Sequence, residues 1–317
     1  MAGEKETTIY QVILVPNIIK KQLIRFYEFA QPKLETLQIR VKYHFRIMSM
    51  AKTIRYIQKT NCSISRFGDG EFDGMFNERD IGFQESSEAL QQGLIRAMSN
   101  KNPHLLLCLA HSVNSVKGFK PRAKEIWLGW GRNGHQAKVY KLVTELAGRE
   151  YCFGDALISR PYMDYKSPKN AERIFPMLKE LWQDRDLLIV EGTLSRLGVG
   201  NDLFANAKSI KRILAPPKNA FDVYDQLLQT VTDQYNGELV LIALGPAASV
   251  LASDLADQSI QALDIGHIDV EYEWYLRKAT KKSQIEGKFV NEAGDFNREI
   301  EECDNVEYKN QIIATIV

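Results

Sequence analysis

The 317-residue chain is 44% hydrophobic and 26% charged, a balance that suits one large or two small globular units with a sizeable core. Its formal net charge of +1 excludes a bulk nucleic-acid binder. Cys62, Cys108, Cys152 and Cys303 stand far apart with no CxxC pair, which argues against a zinc site and for a reduced, cytoplasmic protein. No signal peptide is evident, and no stretch approaches the ~18 uninterrupted apolar residues of a spanning helix.

Residues 9 to 59 read as helical and amphipathic. Ile18, Ile19, Leu23, Phe26, Tyr27 and Ala30 recur near helical spacing until Pro32, and a second pattern runs through Leu34, Leu37, Val41, Phe45, Met48 and Ile54. Ten Lys/Arg in residues 9 to 60 face only Glu28 and Glu35, a balance of +8. Such a segment suits peripheral contact with the anionic inner face of a cell membrane. A helical hairpin packed on the main domain or on a second subunit fits as well. Residues 1–58 are therefore set apart as a basic helical N-terminal extension.

From Cys62 the chain alternates. Strands are expected at 62–66, 105–110, 151–159, 186–190, 210–214, 239–244 and 261–265. Helices are expected at 86–99, 122–147 (broken by Gly129, Gly131 and Gly134), 169–182, 220–235, 247–255 and 269–278. The expected fold over residues 59–282 is α/β, a Rossmann-like, mostly parallel sheet with helices on both faces. In the tail, residues 283–317, eight acids oppose Lys288, Arg298 and Lys309, a balance of −5. It ends in β-prone Gln311 to Val317, which suits an edge strand or self-association into a homo-oligomer.

Ligands of an open parallel sheet bind at the carboxyl ends of its strands, and five such ends here are polar or glycine-rich. The first is Arg66-Phe67-Gly68-Asp69-Gly70-Glu71, where two carboxylates flank a glycine that accepts a positive φ. Hard oxygen donors of this kind suit a divalent cation bridging to a diphosphate, although Gly-Asp-Gly is also turn chemistry. The second, Glu191 to Asp202, combines Ser195, Arg196 and Asn201 with three glycines, Gly200 among them. It suits phosphate contact without matching a P-loop or a dinucleotide fingerprint. The third carries Asn219. In the fourth, Gly245-Pro246-Ala247 opens a helix whose N–H groups suit an anion. The fifth is His267-Ile268-Asp269-Val270-Glu271, with acids spaced for catalysis or metal binding. Interleaved exposed aromatics are missing from these ends, which disfavours nucleic acid.

Taken in order, Arg-Phe-Gly-Asp-Gly-Glu, Glu-Gly-Thr-Leu-Ser-Arg-Leu-Gly-Val-Gly-Asn-Asp-Leu-Phe, Leu-Gly-Pro-Ala-Ala and Asp-Ile-Gly-His-Ile-Asp-Val-Glu-Tyr-Glu-Trp resemble the GT-D type glycosyltransferases of bacterial glycan assembly, such as exopolysaccharide synthesis. The resemblance covers roughly residues 60 to 280. It implies a Rossmann-like domain, a UDP-linked sugar donor, and an Asp-X-Glu motif in the role that Asp-X-Asp has in other metal-dependent sugar transferases, here Asp69-Gly70-Glu71.

The expectation is a metal-dependent hexosyltransferase acting on a glycan, glycoprotein or lipid-linked acceptor hydroxyl. Asp69 and Glu71 would hold Mn²⁺ or Mg²⁺. Arg66 and Arg196 would supply fixed positive charge. Phe67, Gly68, Ser195, Gly200, Asn201, Asp202, Asn219 and Gly245 would contact the donor. Glu271 or Asp269 would be the general base, with His267 orienting it or contacting the diphosphate. A nucleotide-binding regulatory or scaffold protein, or a metal-dependent phosphohydrolase, are the alternatives.

Overall fold

Parallel strands covered on both faces need continuous apolar runs, and this chain supplies them: Leu105–Leu109, Leu187–Val190 and Leu239–Ile242 are buried throughout. The computed structural model describes residues 42–76, 82–132, 134–294 and 300–316. Its strands are β1 (Arg46–Ile47), β2 (Ser63–Phe67), β3 (Leu105–Leu109), β4 (Cys152–Asp155), β5 (Asp186–Gly192), β6 (Ser209–Ala215), β7 (Leu239–Ala243), β8 (Ala262–Asp264) and β9 (Ile312–Thr315). They form one nine-stranded sheet in the order β1-β4-β3-β2-β8-β7-β5-β6-β9. Every pairing between these strands is parallel.

The α-helices are α1 (Met50–Thr60), α2 (Asp69–Phe76), α3 (Glu88–Ser99), α4 (Pro121–Trp130), α5 (His135–Leu146), α6 (Lys169–Lys179), α7 (Tyr224–Gln234), α8 (Pro246–Asp257), α9 (Ile268–Leu276) and α10 (Val306–Gln311). Local chemistry sets their ends. The Ser49 and Ser87 side chains cap α1 and α3 by accepting N–H bonds from Lys52 and Leu90. Pro246 opens α8, where its missing N–H costs nothing. Helix α8 packs on β2 and β8 and against α3, while α1 packs on β4 and α6. At Gly154 the sheet closes so tightly that a Cβ would sit 2.5 Å from Cys108 Sγ.

The strand and helix alternation expected from Cys62 onward is present, and so is the C-terminal edge strand, β9. Two expectations change. The helical pattern drawn through Phe45, Met48 and Ile54 is interrupted: Arg46–Ile47 pairs with β4, and the helix begins only after the Ser49 cap. The Asn114 side chain holds the Phe45 backbone extended by bonding both its N–H and its carbonyl. A boundary at 58/59 would cut α1, whose Ile54 and Ile57 belong to the main core. The rest of the basic segment, residues 9–41, lies outside the described residues.

The described residues of the acidic tail, 283–294 and 300–316, are likewise part of the fold. Ile285 and Val290 pack with Met163, Val270 and Trp274, and β9 extends the sheet beside β6. Arg212 on β6 fastens this end. It donates to Glu191 Oε1 at 2.5 Å, Leu197 O at 2.9 Å and Gln311 Oε1 at 2.7 Å, with its guanidinium 4.8 Å from the Tyr308 ring. Both members of the Arg212–Glu191 pair are buried. Arg212→Met would leave the Glu191 carboxyl buried without its counter-ion, at an expected loss of about 3–5 kcal/mol. Urea denaturation checks this as a lowered midpoint, and an unchanged midpoint would contradict it.

Candidate functional site

The carboxyl ends of β2 through β8 converge on one cavity of about 400 Å³. Beyond β2, Gly68, Asp69, Gly70 and Glu71 line it, but not as a loop. Helix α2 starts at Asp69, so both carboxylates occupy its first turn, where they complement the helix dipole. Gly68 and Gly70 are absent from the positive-φ residues, which corrects the expectation of a left-handed glycine turn. Glu71 Oε2 instead reaches back to the Gly68 N–H at 2.7 Å, in the manner of a capping box. Burial pushes the Glu71 carboxyl up to about 7, against the lowering effect of the Gly68 N–H. Asp69 has no hydrogen-bond or ion-pair partner among the described residues.

Arg66, at the end of β2, also lines the cavity. Its Nε and Nη2 bond Asp264 O and Oδ1 at 2.7 and 2.6 Å, and its Nη1 bonds Ser159 Oγ and Ala156 O at 2.7 and 3.1 Å. Those contacts tie β2 to β8 and to the turn after β4. The Nη2 end of the guanidinium lies close against Gly266, where a Cβ would meet it at 2.0 Å. Phe67 is fully buried and does not line the cavity.

After β5, Gly192, Ser195 and Leu197 line the cavity. Arg196 does not, contrary to its expected role as fixed charge facing the donor. Held at φ 49°, it turns away and donates to Gly287 O and Glu301 O at 2.7 and 2.6 Å, fastening the C-terminal segment. Gly200, Asn201 and Asp202 also stay outside the cavity lining. Asn201 Nδ2 donates to Asp269 Oδ1 and Glu273 Oε1, both at 2.8 Å, while Asp202 accepts from Lys179 and from the Tyr272 hydroxyl. These residues brace the loop on α6 and α9.

Asn219 lines the cavity and clamps a neighbouring loop. Its N–H donates to Phe83 O at 2.8 Å and its Oδ1 accepts the Glu85 N–H at 2.9 Å. Phe83 is thereby laid on Gly245, where a Cβ would come 2.2 Å from the ring. Gly245 and Pro246 present the N-terminus of α8 to the cavity.

Of the acids after β8, Asp269 has both oxygens engaged, whereas Glu271 uses only Oε2 and its Oε1 is buried without a hydrogen-bond partner among the described residues. Asp269 Oδ1 accepts from the Gly198 N–H and from Asn201, each at 2.8 Å, and Oδ2 pairs with Lys288 at 2.6 Å. Glu271 is buried outside the cavity lining, its Oε2 accepting the Tyr162 and Met163 N–H groups at 3.0 and 2.9 Å. His267 lines the cavity, with Nε2 2.9 Å from Asn291 Oδ1. Burial, together with Arg160, pushes its imidazole down to about 3, so it is neutral at ordinary pH.

Several cavity residues were absent from the sequence expectations: Phe83, Arg160, Asp164, Lys282, Asn291 and Glu292. The strand-end rule applied to β4 would have flagged Arg160 and Asp164. Glu292, which pairs with both Arg160 and Lys282, carries no local signal, because it arrives only when the tail folds back. Among the described residues no group of three or more His, Cys, Asp or Glu could hold a metal. Asp69 and Glu71 alone still fit Mg²⁺ or Mn²⁺, which are held by one or two carboxylates completed by substrate phosphates and water.

A carboxyl whose folded pKa is raised favours the fold while protonated, and that margin is lost as pH rises through the folded value. For Glu71 the window runs from 4.5 to about 7. Glu71→Gln keeps an oxygen for the Gly68 N–H and removes the titration. The stability of the variant relative to the parent should rise across that window and then level off, as followed by urea denaturation at stepped pH. A difference that stays constant with pH would contradict the buried carboxyl.

The family model described as glycosyltransferase GT-D fold matches residues 64–293. A protein named probable glycosyl transferase Gly, of Streptococcus gordonii, is 37% identical over 271 residues, 85% of this chain and 39% of that one. Glycosyltransferase GlyD of Streptococcus pneumoniae serotype 4 is 36% identical over 275 residues, 86% of this chain and 33% of that one. The chain thus spans well under half the length of these relatives. A solved structure described as the highly conserved domain of unknown function 1792 with a distinct glycosyltransferase fold matches with a TM-score of 0.80 and 36% identity, over 90% of this chain and 100% of that one. A structure described as a new glycosyltransferase with the same domain, from Streptococcus sanguinis, matches with a TM-score of 0.80 and 36% identity, over 86% and 100%. With its parallel sheet, its ordered motifs and a model match across most of its length, the chain belongs to the glycosyltransferase GT-D fold family.

Proposed function

We propose that this chain transfers a sugar from a nucleotide sugar, UDP-linked, to a hydroxyl of a glycan, glycoprotein or lipid-linked acceptor, with Mn²⁺ or Mg²⁺ held by Asp69 and Glu71. The observation that carries this reading is the unpartnered Asp69 carboxylate beside Glu71 in a cavity onto which seven strand ends converge. A divalent cation there supplies Lewis acidity toward the diphosphate leaving group.

The chain's own residues do the rest. The N-terminus of α8 offers a positive dipole end to an anion, and Lys218, which lines the cavity, adds charge. Ser195 and the clamped Phe83 bound the donor. Arg66 acts through Asp264 and the turn after β4, as a positioning residue. Asp269, with both oxygens committed to Lys288, Asn201 and the Gly198 N–H, and Glu271, through its Oε2, position the loops around the cavity. That engagement also favours a second reading, a nucleotide binder without turnover, which would bind UDP-sugar and release no UDP.

Asp69→Ala and Glu71→Ala should each lower Mn²⁺-dependent transfer from UDP-sugar by ~10²-fold or more. Near-normal turnover in both variants overturns the metal role, and binding without UDP release in the parent selects the second reading. The basic segment supports peripheral membrane contact, where lipid-linked acceptors reside. No described helix is long and apolar enough to cross a membrane. Deleting residues 1–41 leaves β1 and α1 intact and should abolish salt-sensitive sedimentation with anionic liposomes. Unchanged pelleting counts against the contact.

A further inference from the structure

Transfer to a hydroxyl needs a group that takes its proton, and five described carboxyl residues line the cavity: Asp69, Glu71, Asp164, Asp269 and Glu292. Asp69 and Glu71 share the first turn of α2 and are assigned to the cation. Asp269 spends both oxygens on Gly198, Asn201 and Lys288. Glu292 is paired with Arg160 and Lys282, with His267 Nε2 at 3.7 Å. Asp164 is held more loosely than Asp269 and Glu292. Its ion-pair partner, Lys282 Nζ, stands 3.6 Å from Oδ1, beyond hydrogen-bond reach, and its side chain stays 20% exposed.

The backbone that carries Asp164 is fixed on both sides. Glu271 Oε2 holds the two preceding N–H groups, those of Tyr162 and Met163. The Asp164 carbonyl accepts the Lys120 N–H at 2.8 Å, and Lys166 N–H bonds Gly118 O at 2.9 Å. Phe119 and Tyr165 form an antiparallel bridge beside it. Glu271 thus has a use that its place outside the cavity lining leaves open: it sets the position of Asp164.

The Lys120 N–H bond to the Asp164 carbonyl joins this segment to the start of α4, which contributes Ala123, Ile126 and Trp127 to the same cavity. Ile126 is a large apolar side chain left 51% exposed, and Asp164 and Lys282 line the same cavity. An apolar shelf with a few convergent polar groups fits a pyranose, which offers a C–H face and a ring of hydroxyls.

Resting on the glycosyltransferase reading, we infer that Asp164 is the catalytic base for the acceptor hydroxyl and that the Ile126–Trp127 shelf of α4 seats the acceptor sugar. The acceptor oxygen forms its bond to the anomeric carbon while the bond from that carbon to the diphosphate oxygen breaks. The leaving nucleoside diphosphate takes that electron pair, and the hydroxyl proton passes to the Asp164 carboxylate and then to water.

The full chain is assayed with UDP-glucose and UDP-galactose as donors, with p-nitrophenyl glycosides of glucose and N-acetylglucosamine as probe acceptors, and with Mn²⁺. Asp164→Asn should lower kcat by ~10²–10⁴-fold. Its calorimetric affinity for UDP should match that of the parent. Asp164→Ala should regain part of the lost rate when sodium formate supplies a free carboxylate. Ile126→Asp should raise the acceptor KM and leave the donor KM unchanged. An Asp164→Asn variant that transfers within about threefold of the parent overturns the base assignment. So does one that loses UDP binding together with rate, which marks a structural role. A parent that binds no UDP and transfers no sugar overturns the glycosyltransferase reading, and the inference falls with it before any variant is compared.

Discussion

The Arg66–Asp264 pair is the constraint on which the site depends. β2 and β8 are neighbours in the middle of the sheet, and the guanidinium joins the end of one to the end of the other. Its remaining contacts hold Ala156 and Ser159, so the turn after β4 is placed by the same group. A buried ion pair of this kind contributes little net stability, because desolvating both charges offsets their attraction. Its value is geometric. One residue sets the relative position of three strand ends, and its close approach to Gly266 leaves no room for a side chain there. The first turn of α2 follows directly from the strand so anchored, and Asp69 and Glu71 are placed with it.

Around that centre, charged side chains act mostly as fasteners. Arg196 and Arg212 bind the C-terminal segment to the loop after β5. Lys288 carries the same segment onto Asp269. Met163, Val270, Trp274, Ile285 and Val290 close a small second core beneath it. These contacts convert an acidic stretch of little regular structure into one wall of the cavity. Asp269 and Glu191 are compensated by Lys288 and Arg212, and the less engaged Asp69 and Asp164 face the cavity. Perturbed or unpaired acids in a cleft are the sign of a functional site, whereas paired ones are part of the scaffold.

Much of the fold was legible along the chain. Runs such as Leu187 to Val190 are apolar, β-branched in part and too short for a helix, and burial on both faces is the simplest use for them. Pro246 announced α8. The motif Asp69-Gly70-Glu71 stood out as well, although as a turn rather than as a helix start. Two glycines in three residues hid α2, because intrinsic preference is a weak guide where tertiary packing buries Phe72 and Met75. Near residue 46 the apolar spacing suggested a helix, and the side chain of distant Asn114 holds the backbone extended instead.

By itself, then, the sequence determined the alternating α/β order, the polar strand ends that line the cavity, and the Asp69 and Glu71 pair, because each depends on residues close together in the chain. Which polar residues face the cavity was decided only by tertiary structure. Arg196, Asp202 and Glu271 carry the right chemistry in the right segments, yet each is drawn aside by partners dozens of residues away. Asp164, Lys282 and Glu292 carry no motif and stand in the cavity because β4, α9 and the folded-back tail meet there. Local chemistry sets what a side chain can do. The long-range competition for hydrogen bonds and counter-ions sets which side chain is left free to do it.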